Sequence, residues 1–499
     1  MFKVKHIQIF LLYICLLAVK QTTAQQNPSK YLAESITVSA LKKHIQVLAS
    51  DEMEGRENGK SGQKKAAAYI MQQFSNAGIT PLMGNYFQDV PFIETVPEKI
   101  KIKINGHPLA FIKDFEHFKD FDNTLISQAK SVFVSYGSKK NFKDADKSFN
   151  IKNKVVFMAG GSSVKDIPSI KQRTKYAHKL GAKAVFVIED AGGFTSDSSY
   201  LMEREQKLIR EYLNPVPVFF IAQDFADSLF KVAGFNLKKW TKKRLKKKKT
   251  QRLNLTLDIE VNMVNKNQKG ENVLAFIPGN ELKSEIVVLL AHYDHLGIRG
   301  KTTFNGADDN ATGTAALIEI AKSLQLAKSK GNGFKRSILI MLTTGEEKGL
   351  LGSKYYVKHP LFSLEQTFAV LNVDMIGRSD DLHKNNSKYI YLVGADFISP
   401  ALQQICETQN NKYTNLTLDY TYNTKNHPDR FYFRSDHYPF AKRGVPSVFY
   451  FSGVHKDYHQ SSDTAEKIDY QKVQLVTQFI FHTAWGLLNT SQSLTPKKP

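Results

Sequence analysis

The chain has 499 residues, of which 42% are hydrophobic, so it has room for two or three domains with sizeable cores. This hydrophobic content is ordinary for a globular protein and argues against a disordered chain. The formal net charge of +22 suggests a polyanionic partner, but much of the excess lies in one basic cluster between residues 238 and 252. We interpret the cluster as a solvated helix end or linker, with loose attraction to anionic surfaces as the alternative, and we predict no nucleic-acid partner.

The amino terminus has the pattern of an export signal. Lys3 and Lys5 precede an apolar run from Ile9 to Val19, and small residues follow up to Ala24. The run is short for a membrane anchor, which is the alternative, so we predict removal of residues 1–24, export to the periplasm or extracellular space, and no stable membrane insertion. Only Cys406 would remain after cleavage, which excludes an intrachain disulfide.

Residues 37–80 predict two helices that are separated by the turn-rich loop EGRENGKSG. The first has apolar residues at Leu41, Ile45 and Leu48, and the second carries small and large apolar residues up to Ala77. Alternation between residues 86 and 104 then predicts a strand.

Residues 109–252 differ in composition and predict an inserted domain. The segments SVFVSYG, KVVFMAG, AVFVIED and VPVFFI are typical of strands, and residues 170–180 of a helix. None of these strands is followed by a convergent set of His, Asp and Glu, so we expect no catalysis here. The stretch KLGAKAVFVIED resembles the protease-associated domain that is found within many secreted exopeptidases, which implies a smaller α/β domain.

The second half of the chain alternates buried strands with helices. Residues 286–291 form an apolar run with no polar face, and SILIML, FAVLNV, YIYLV and PSVFYF repeat the pattern. Helical spacing begins at Gly313, and a long helix is predicted from Tyr470 to about residue 488. The fold class is therefore α/β, with a mostly parallel central sheet flanked by helices.

Polar side chains follow four of these strands. His292 and Asp294 follow the first, and the acidic loop with Asp308 and Asp309 comes next; the remaining ones are Glu346, Glu347, Asp374 and His459. Each has an ordinary alternative role, such as a helix first turn, a turn cap or a surface position. Their common place at the carboxyl edge of one sheet favours a binding site, and imidazole with carboxylate is a donor set for zinc or a hard metal.

The motifs HYD, GADDNATG, TTGEEKGLLGS, NVDMIGR and DYHQSSDT occur in this order. In order and spacing they resemble the co-catalytic zinc exopeptidases, a family that includes bacterial leucine aminopeptidases, glutamate carboxypeptidases and glutaminyl cyclases. The resemblance covers roughly residues 35–107 and 253–490. It implies a zinc-exopeptidase fold with a catalytic domain of residues 25–108 and 253–499, interrupted by the insertion of residues 109–252.

The resemblance also implies two zinc ions per chain. His292 and Asp374 would bind one ion, Glu347 and His459 the other, and one carboxylate of the acidic loop would bridge them. Counting back from Gly313 against the family pattern Asp-x-x-Ser-Gly places the bridge at Asp309 rather than Asp308, with Thr312 in place of the serine.

Three further residues receive roles from the resemblance. Glu346 would be the general base, because a carboxylate that binds no metal can take a proton from water and return it to the leaving amine. Asp294 would accept a hydrogen bond from the second ring nitrogen of His292 and fix its tautomer. Tyr458 could donate its hydroxyl to the oxyanion or could simply pack against its neighbours.

The expected substrate is a peptide and the expected reaction is exopeptidase hydrolysis. Zinc lowers the pKa of bound water from about 16 towards 7, which supplies hydroxide at neutral pH. An aminopeptidase is favoured, because no dense arginine cluster accompanies the motifs; Arg378 and Arg434 could clamp a terminal carboxylate or form structural ion pairs. A carboxypeptidase or dipeptidase is the alternative, and a receptor-like binding protein is a third possibility that the complete ligand set disfavours. A glutaminyl cyclase is disfavoured because that branch uses one zinc. The preferred terminal residue and the oligomeric state stay open.

Overall fold

The computed structural model describes residues 28–110, 116–117, 123–160, 170–189, 216–235, 250–299 and 302–494. The predicted export signal and most of the basic cluster lie outside the described residues. The chain forms two compact units: the larger comprises Met1–Val90, Lys269–Ile298 and Thr303–Pro499, and the smaller comprises Pro91–Gln268 and Arg299–Thr302. The smaller unit is thus longer at both ends than the predicted insertion of residues 109–252, and its likeness to a protease-associated domain stays a prediction.

The strands of the described residues are numbered in chain order. They are β1 (Phe87–Ile104), β2 (His107–Pro108), β3 (Glu116–His117), β4 (Thr124–Phe133), β5 (Val155–Ala159), β6 (Ala184–Glu189), β7 (Val218–Ala222), β8 (Gln251–Ile277), β9 (Leu282–His292), β10 (Gly297–Arg299), β11 (Thr302–Phe304), β12 (Arg336–Thr343), β13 (Thr367–Val373), β14 (Tyr389–Val393), β15 (Thr417–Asp419) and β16 (Ser447–Phe451).

The helices are numbered in the same way. They are α1 (Pro28–Glu34), α2 (Val38–Leu48), α3 (Ser61–Asn76), α4 (Lys139–Phe149), α5 (Ile170–Lys179), α6 (Gln223–Val232), α7 (Gly313–Ser329), α8 (Leu351–Lys358), α9 (Ala395–Ile398), α10 (Pro400–Tyr413), α11 (His437–Ala441) and α12 (Tyr470–Asn489). The helices predicted in residues 37–80, from Gly313 and from Tyr470 are all present.

The sheet of the larger unit is mostly parallel, as the sequence predicts. Its order is β15-β14-β16-β13-β9-β12, followed by the carboxyl-terminal part of β8. Strand β9 lies between β12 and β13 and is parallel to both, and β13 is parallel to β16. Strand β14 is antiparallel to β16, and β8 is antiparallel to β12. Strand β9 therefore has a hydrogen-bonded neighbour on each edge and lies inside the sheet.

The two faces of this sheet bury alternate residues of each strand. Val287, Leu289 and Ala291 of β9 belong to the main core, to which helices α2, α3, α7 and α12 contribute. Val288 and Leu290 face a smaller core that includes Tyr356 of α8 and Phe440 of α11. Helix α7 fits closely because many of its buried residues are small, as the alanines at 315, 316 and 321 are. Packing on both faces fixes the carboxyl edge of the sheet.

The smaller unit has its own group of paired strands and its own cores. Strands β4, β5, β6 and β7 are parallel neighbours, β3 is antiparallel to β7, and the amino-terminal part of β8 is antiparallel to β4. The rings of Phe157, Phe186 and Phe219 share one face, whereas Val156, Val185 and Phe220 belong to the core on the other face. The four strands predicted in the insertion are therefore confirmed as strands.

None of the helices in the described part of the chain is both long and apolar enough to cross a membrane. Helix α12, which has 20 residues, is instead a core helix with buried residues such as Phe479, Ile480 and Phe481.

Helix α12 also contains a buried histidine that makes stability depend on pH. His482 Nδ1 lies 2.7 Å from the Ser29 hydroxyl, and the ring stacks on Tyr413 at a centroid distance of 3.8 Å. Burial lowers the pKa of His482 to about 4, and Lys412 adds to the effect. The neutral ring is thus favoured in the folded state, whereas an unfolded chain takes up a proton near pH 6.5.

We expect the free energy of unfolding of the wild type to fall by up to about 1.4 kcal/mol per pH unit between pH 6.5 and pH 4, because the unfolded chain binds one more proton at His482 than the folded chain does. The variant His482→Phe keeps the stacking surface but cannot titrate. The free energy of unfolding of this variant, measured in urea, should therefore fall less steeply than that of the wild type as the pH is lowered over this interval. Above pH 7 the curves of the two proteins should run parallel. Parallel curves throughout the acid range would contradict this role for His482.

Candidate metal centre

The carboxyl edge of the parallel sheet collects the polar side chains that follow its strands. His292 is the last residue of β9 and is paired in register with Thr343, the last residue of β12. Asp374 directly follows β13, the other parallel neighbour of β9. The strand ends therefore bring residues that are distant in sequence to one edge, as the sequence analysis expects.

A first group of metal donors contains His292, Asp309 and Asp374. His292 Nε2 lies 3.3 Å from Asp374 Oδ1 and 3.3 Å from Asp309 Oδ1. The donor atoms of all three residues lie within 4.8 Å of one another, and the three residues are buried. Ser435 donates a hydrogen bond of 2.8 Å to the other carboxylate oxygen, Oδ2, of Asp374. The orientation of this carboxylate is therefore fixed by a side chain outside the group.

A second group contains His295, Asp309 and Glu347, whose donor atoms also lie within 4.8 Å of one another. His459 adjoins it: its Nε2 is 2.9 Å from Asp309 Oδ2 and 3.2 Å from Glu347 Oε1. Although these distances are short, Nε2 is not aligned for a hydrogen bond with any described residue. Two carboxylate oxygens that face an imidazole nitrogen off the hydrogen-bonding direction fit a shared metal ion better than a ring N–H.

Asp309 belongs to both groups, whereas its neighbour Asp308 belongs to neither. Asp309 turns Oδ1 towards His292 and Oδ2 towards His459. Asp308 instead accepts a hydrogen bond from the backbone N–H of Gly377 at 2.6 Å, and its Oδ2 lies 3.2 Å from His455 Nε2. Asp309 is therefore the carboxylate of the acidic loop that faces both donor groups, and its role as a bridge stays a prediction.

The acidic loop is held by a residue that the sequence analysis did not assign. Asp463 accepts hydrogen bonds from the backbone N–H groups of Asp308 at 3.0 Å and Asp309 at 3.1 Å. Burial, with the negative charge of Asp308 beside it, raises the pKa of Asp463 to about 7. In the sequence Asp463 is part of the motif DYHQSSDT, but nothing in the spacing indicates that it contacts the loop.

Asp294 occupies the expected place but makes a different contact. The strand ends at His292, so Asp294 lies outside the alternation of side chains along β9. The ring nitrogen Nδ1 of His292 lies 3.2 Å from the backbone carbonyl of Asp294 and 3.8 Å from its carboxylate. The carboxylate accepts a hydrogen bond of 3.1 Å from the backbone N–H of Glu346. The tautomer of His292 is therefore set by the carbonyl, and the carboxylate positions the turn that carries Glu346 and Glu347.

The adjacent residues Glu346 and Glu347 differ in their relation to the metal groups. Both are buried, but only Glu347 belongs to one of the two groups. Burial alone would raise the pKa of Glu347, but His459 and His295 hold it at about 2. Burial would likewise raise the pKa of Asp309, yet His292 and His459 keep it well below its usual value. Both groups therefore present ionised carboxylates, as metal binding requires.

The rim of the centre contains Tyr458 and the two arginines that were considered as substrate clamps. The ring of Tyr458 stacks on that of His459 at a centroid distance of 3.6 Å, and its hydroxyl accepts a hydrogen bond of 3.3 Å from Arg434 Nη2. Arg378 donates to Asp457 at 3.0 Å. His459 itself has φ of +56°, a left-handed conformation that is uncommon for a residue other than glycine and is often found at functional sites.

The residues present fit a pair of zinc ions. Zinc takes imidazole nitrogen and carboxylate oxygen, and both groups offer this combination from buried side chains with Asp309 in common. His295 is an additional imidazole that the motif comparison did not assign, although the run HYDH contains it. The only signal that could have found it was its place one residue beyond Asp294.

A second residue that was missed is Arg56, in the loop between α2 and α3. Its guanidinium is fully buried and donates to the carbonyls of Tyr293 at 2.7 Å, Asn305 at 2.7 Å and Gly306 at 2.9 Å, and also to that of Leu48. Burial lowers the pKa of Arg56 to about 10, against the attraction of Asp294, Asp309, Asp463 and Glu347, so it stays charged at neutral pH. Arg56 thus ties the loop before α3 to the segment that carries His292 and to the segment that carries Asp309.

The segment that contains these donors is similar to known peptidases. Residues 272–484 match the model of Peptidase family M28. A probable leucine aminopeptidase of Arthroderma benhamiae is 30% identical over 241 residues, which cover 46% of this chain and 62% of that protein. Aminopeptidase YwaD of Bacillus subtilis is 28% identical over 227 residues, which cover 43% of this chain and 45% of that protein. The chain thus matches less than two thirds of the length of these relatives.

Solved structures share the fold over most of the chain. The aminopeptidase from Aneurinibacillus sp. strain AM-1 has a TM-score of 0.60 at 19% sequence identity, and the match covers 94% of this chain and 98% of that one. BSAP, a zinc aminopeptidase from Bacillus subtilis, has a TM-score of 0.63 at 19% identity, with coverage of 92% and 97%. The α/β fold with a mostly parallel central sheet is therefore shared with these proteins.

We expect the variant Arg56→Lys to bind zinc about 10–100-fold more weakly than the wild type, because a lysine ammonium cannot reach carbonyls on three segments at once. Equilibrium dialysis against graded free zinc measures this. Arg173→Lys is the matched control, since Arg173 is also buried and donates to the carbonyls of Tyr136, Ala159 and Gly160, but in the smaller unit. It should lower thermal stability and leave zinc affinity intact. Equal zinc affinity in all three proteins would contradict the role of Arg56.

Proposed function

We propose that this protein is an exported zinc-dependent aminopeptidase that holds two zinc ions per chain and removes amino-terminal residues from peptides. The observation that carries the proposal is the position of Asp309, whose two carboxylate oxygens face two separate groups of imidazole and carboxylate donors. Such a bridging carboxylate is what a two-metal hydrolytic centre requires.

The comparisons support the peptidase class and the metal. The segment that matches the model of Peptidase family M28 contains every donor of both groups, and the matching relatives include proteins named leucine aminopeptidase and zinc aminopeptidase. Export is supported by the basic, apolar and small-residue pattern of residues 1–24. A mature amino terminus at residue 25, measured by mass spectrometry of the secreted chain, would test it.

The chemistry divides between the metal and the residues of the chain. When bound, zinc supplies Lewis acidity and lowers the pKa of water towards 7. His292, Asp374 and Asp309 would hold one ion, and Asp309, Glu347 and His459 the other. Glu346, which lies next to this second group but outside it, would accept the proton of the attacking water and deliver it to the leaving amine.

One further residue would act on the substrate, and another would position the general base. The Tyr458 hydroxyl, which accepts a hydrogen bond from Arg434, can donate its own proton to a developing oxyanion. Asp294 would act on Glu346 indirectly by holding its backbone N–H.

The two arginines favour an aminopeptidase over a carboxypeptidase. Arg378 is engaged with Asp457 and Arg434 with Tyr458, so neither is committed to a terminal carboxylate.

A panel of reporter peptides tests the proposed reaction directly. The full chain, with zinc restored, is assayed with aminoacyl, dipeptidyl and carboxyl-terminal reporters, and we expect cleavage of the aminoacyl substrates. Cleavage of the carboxyl-terminal reporters alone would favour the carboxypeptidase alternative. Cleavage of none, in a protein that binds zinc, would favour a receptor-like binding protein.

The variants Glu346→Gln and Glu347→Gln separate the two adjacent carboxylates. Glutamine at 346 keeps the size of the side chain but cannot take a proton at neutral pH, so zinc content should be unchanged and kcat should fall by roughly 10²–10⁴-fold. Glutamine at 347 removes a charged metal donor, so zinc content should fall and added zinc should restore part of the activity.

Zinc content and kcat are measured for both variants beside Glu319→Gln. Glu319 is a buried glutamate that pairs with His44 at 2.9 Å and belongs to neither metal group, so its loss should change stability but neither zinc content nor kcat. The assigned roles of Glu346 and Glu347 are reversed if Glu346→Gln is the variant that loses zinc.

A further inference from the structure

His295 is a buried imidazole that faces the same two oxygen atoms as His459. Its Nδ1 lies 3.1 Å from Glu347 Oε1 and 3.9 Å from Asp309 Oδ2. His459 Nε2 approaches these two oxygens at 3.2 Å and 2.9 Å. The centroids of the two rings are 5.8 Å apart. Two imidazoles therefore converge on one pair of carboxylates, whereas in the motif comparison only His459 has a role there.

The arrangement around His295 repeats that around His292. His292 pairs with Asp374 at 3.3 Å, and His295 pairs with Glu347 at 3.1 Å. In each case Asp309 completes a set of three buried donors within 4.8 Å of one another. The geometry that makes His292 a candidate metal ligand therefore recurs at His295.

The fold holds the ring of His295 in this position from two sides. A Cβ atom on Gly306, where φ is +55°, would lie 2.4 Å from Cγ and Cδ2 of His295, so only glycine leaves room for the ring. The backbone N–H of His295 donates to the carbonyl of Arg56 at 3.3 Å, and the Arg56 guanidinium in turn holds the carbonyl of Gly306. The imidazole is therefore placed in advance, as a metal ligand must be.

We infer that His295 is a further protein ligand of the second metal ion, bound through Nδ1. The second site then has two imidazoles, Glu347 and the shared Asp309, whereas the first site has one imidazole, Asp374 and the same Asp309. The inference rests on the proposed function only in requiring metal at this centre. It makes the two sites unequal, with the second the more fully coordinated by the protein.

Substitution with Co²⁺ tests the assignment without any measurement of activity. Each imidazole that binds paramagnetic Co²⁺ gives one strongly shifted, exchangeable ring N–H proton signal, so we expect three in the wild type and two in His295→Asn. Asparagine keeps a hydrogen-bond donor near the position of Nδ1 but is a poor metal ligand. The affinity of the second site should therefore fall by more than the roughly 10–100-fold that is typical of an outer hydrogen-bond partner.

His44→Asn is the matched control, because His44 is a buried histidine whose Nε2 lies 2.9 Å from Glu319 outside both metal groups. It should keep all three shifted signals and the wild-type affinity. If His295 only donates a hydrogen bond to Glu347, the wild type shows two shifted signals and His295→Asn binds Co²⁺ as the wild type does; that result overturns the inference.

A second variant decides the question if asparagine impairs folding. His295→Cys places a thiolate at the same position, and a ligand there should give a thiolate-to-Co²⁺ charge-transfer absorption that the wild type lacks. Absence of this band in a folded protein that binds two Co²⁺ ions would also overturn the assignment. Every readout is metal binding, so the result holds whether or not the protein cleaves a reporter peptide, and the two proposals fail separately.

Discussion

The centre depends on keeping mutually repelling carboxylates buried side by side. Asp294, Asp309, Glu347 and Asp463 lie within the electrostatic reach of one fully buried guanidinium, that of Arg56. Removing these charges from water costs several kcal/mol for each unless opposite charges or hydrogen bonds offset it. Arg56, the imidazoles and the loop amides provide this offset in the protein, and metal ions would add to it when bound. The arrangement explains why so many polar groups outside the two donor groups are buried with them.

The acidic loop acquires its shape from hydrogen bonds to two other segments, one at Asp463 and one from Val373 to Gly377. Asp463 holds the amides of Asp308 and Asp309, and Asp308 in turn accepts from Gly377. The side-chain amide of Asn310 donates to the carbonyl of Val373 at 2.9 Å, and its oxygen accepts from Met375 at 3.2 Å. Asn310 therefore joins the loop to the chain on both sides of Asp374. The distance between Asp309 and Asp374 is thus set by backbone contacts and not by the two carboxylates themselves.

The parallel sheet is the frame to which these loops are attached. Strands β9, β12 and β13 end side by side, and each is buried on both faces, so their carboxyl ends have little freedom to move. A centre built on such strand ends can hold charged groups at fixed distances, which a surface loop alone cannot. The smaller unit has separate cores and supplies no residue to either donor group.

The sequence by itself determined the layout of the larger unit. Apolar runs of strand length alternate with helical spacing, and this pattern predicts a parallel sheet with a polar carboxyl edge because only a sheet covered on both faces needs strands with no polar side. It also gathered one set of polar residues at this edge, since they follow four strands of the sheet: His292, Asp294, Asp308, Asp309, Glu346, Glu347, Asp374 and His459. Adjacent residues could be ranked only through the family pattern: spacing alone does not distinguish Asp308 from Asp309, or Glu346 from Glu347.

The tertiary structure decided what depends on contacts between distant segments. Arg56 and Asp463 lie 253 and 154 residues from Asp309, and a hydrogen bond over such a separation leaves no periodic signal in the sequence. The contact of Asp294 also required the structure, because β9 ends two residues earlier and the alternation of side chains ends with it. His295 stood beside a recognised motif, yet its direction is set by the space above Gly306, which only the folded chain creates.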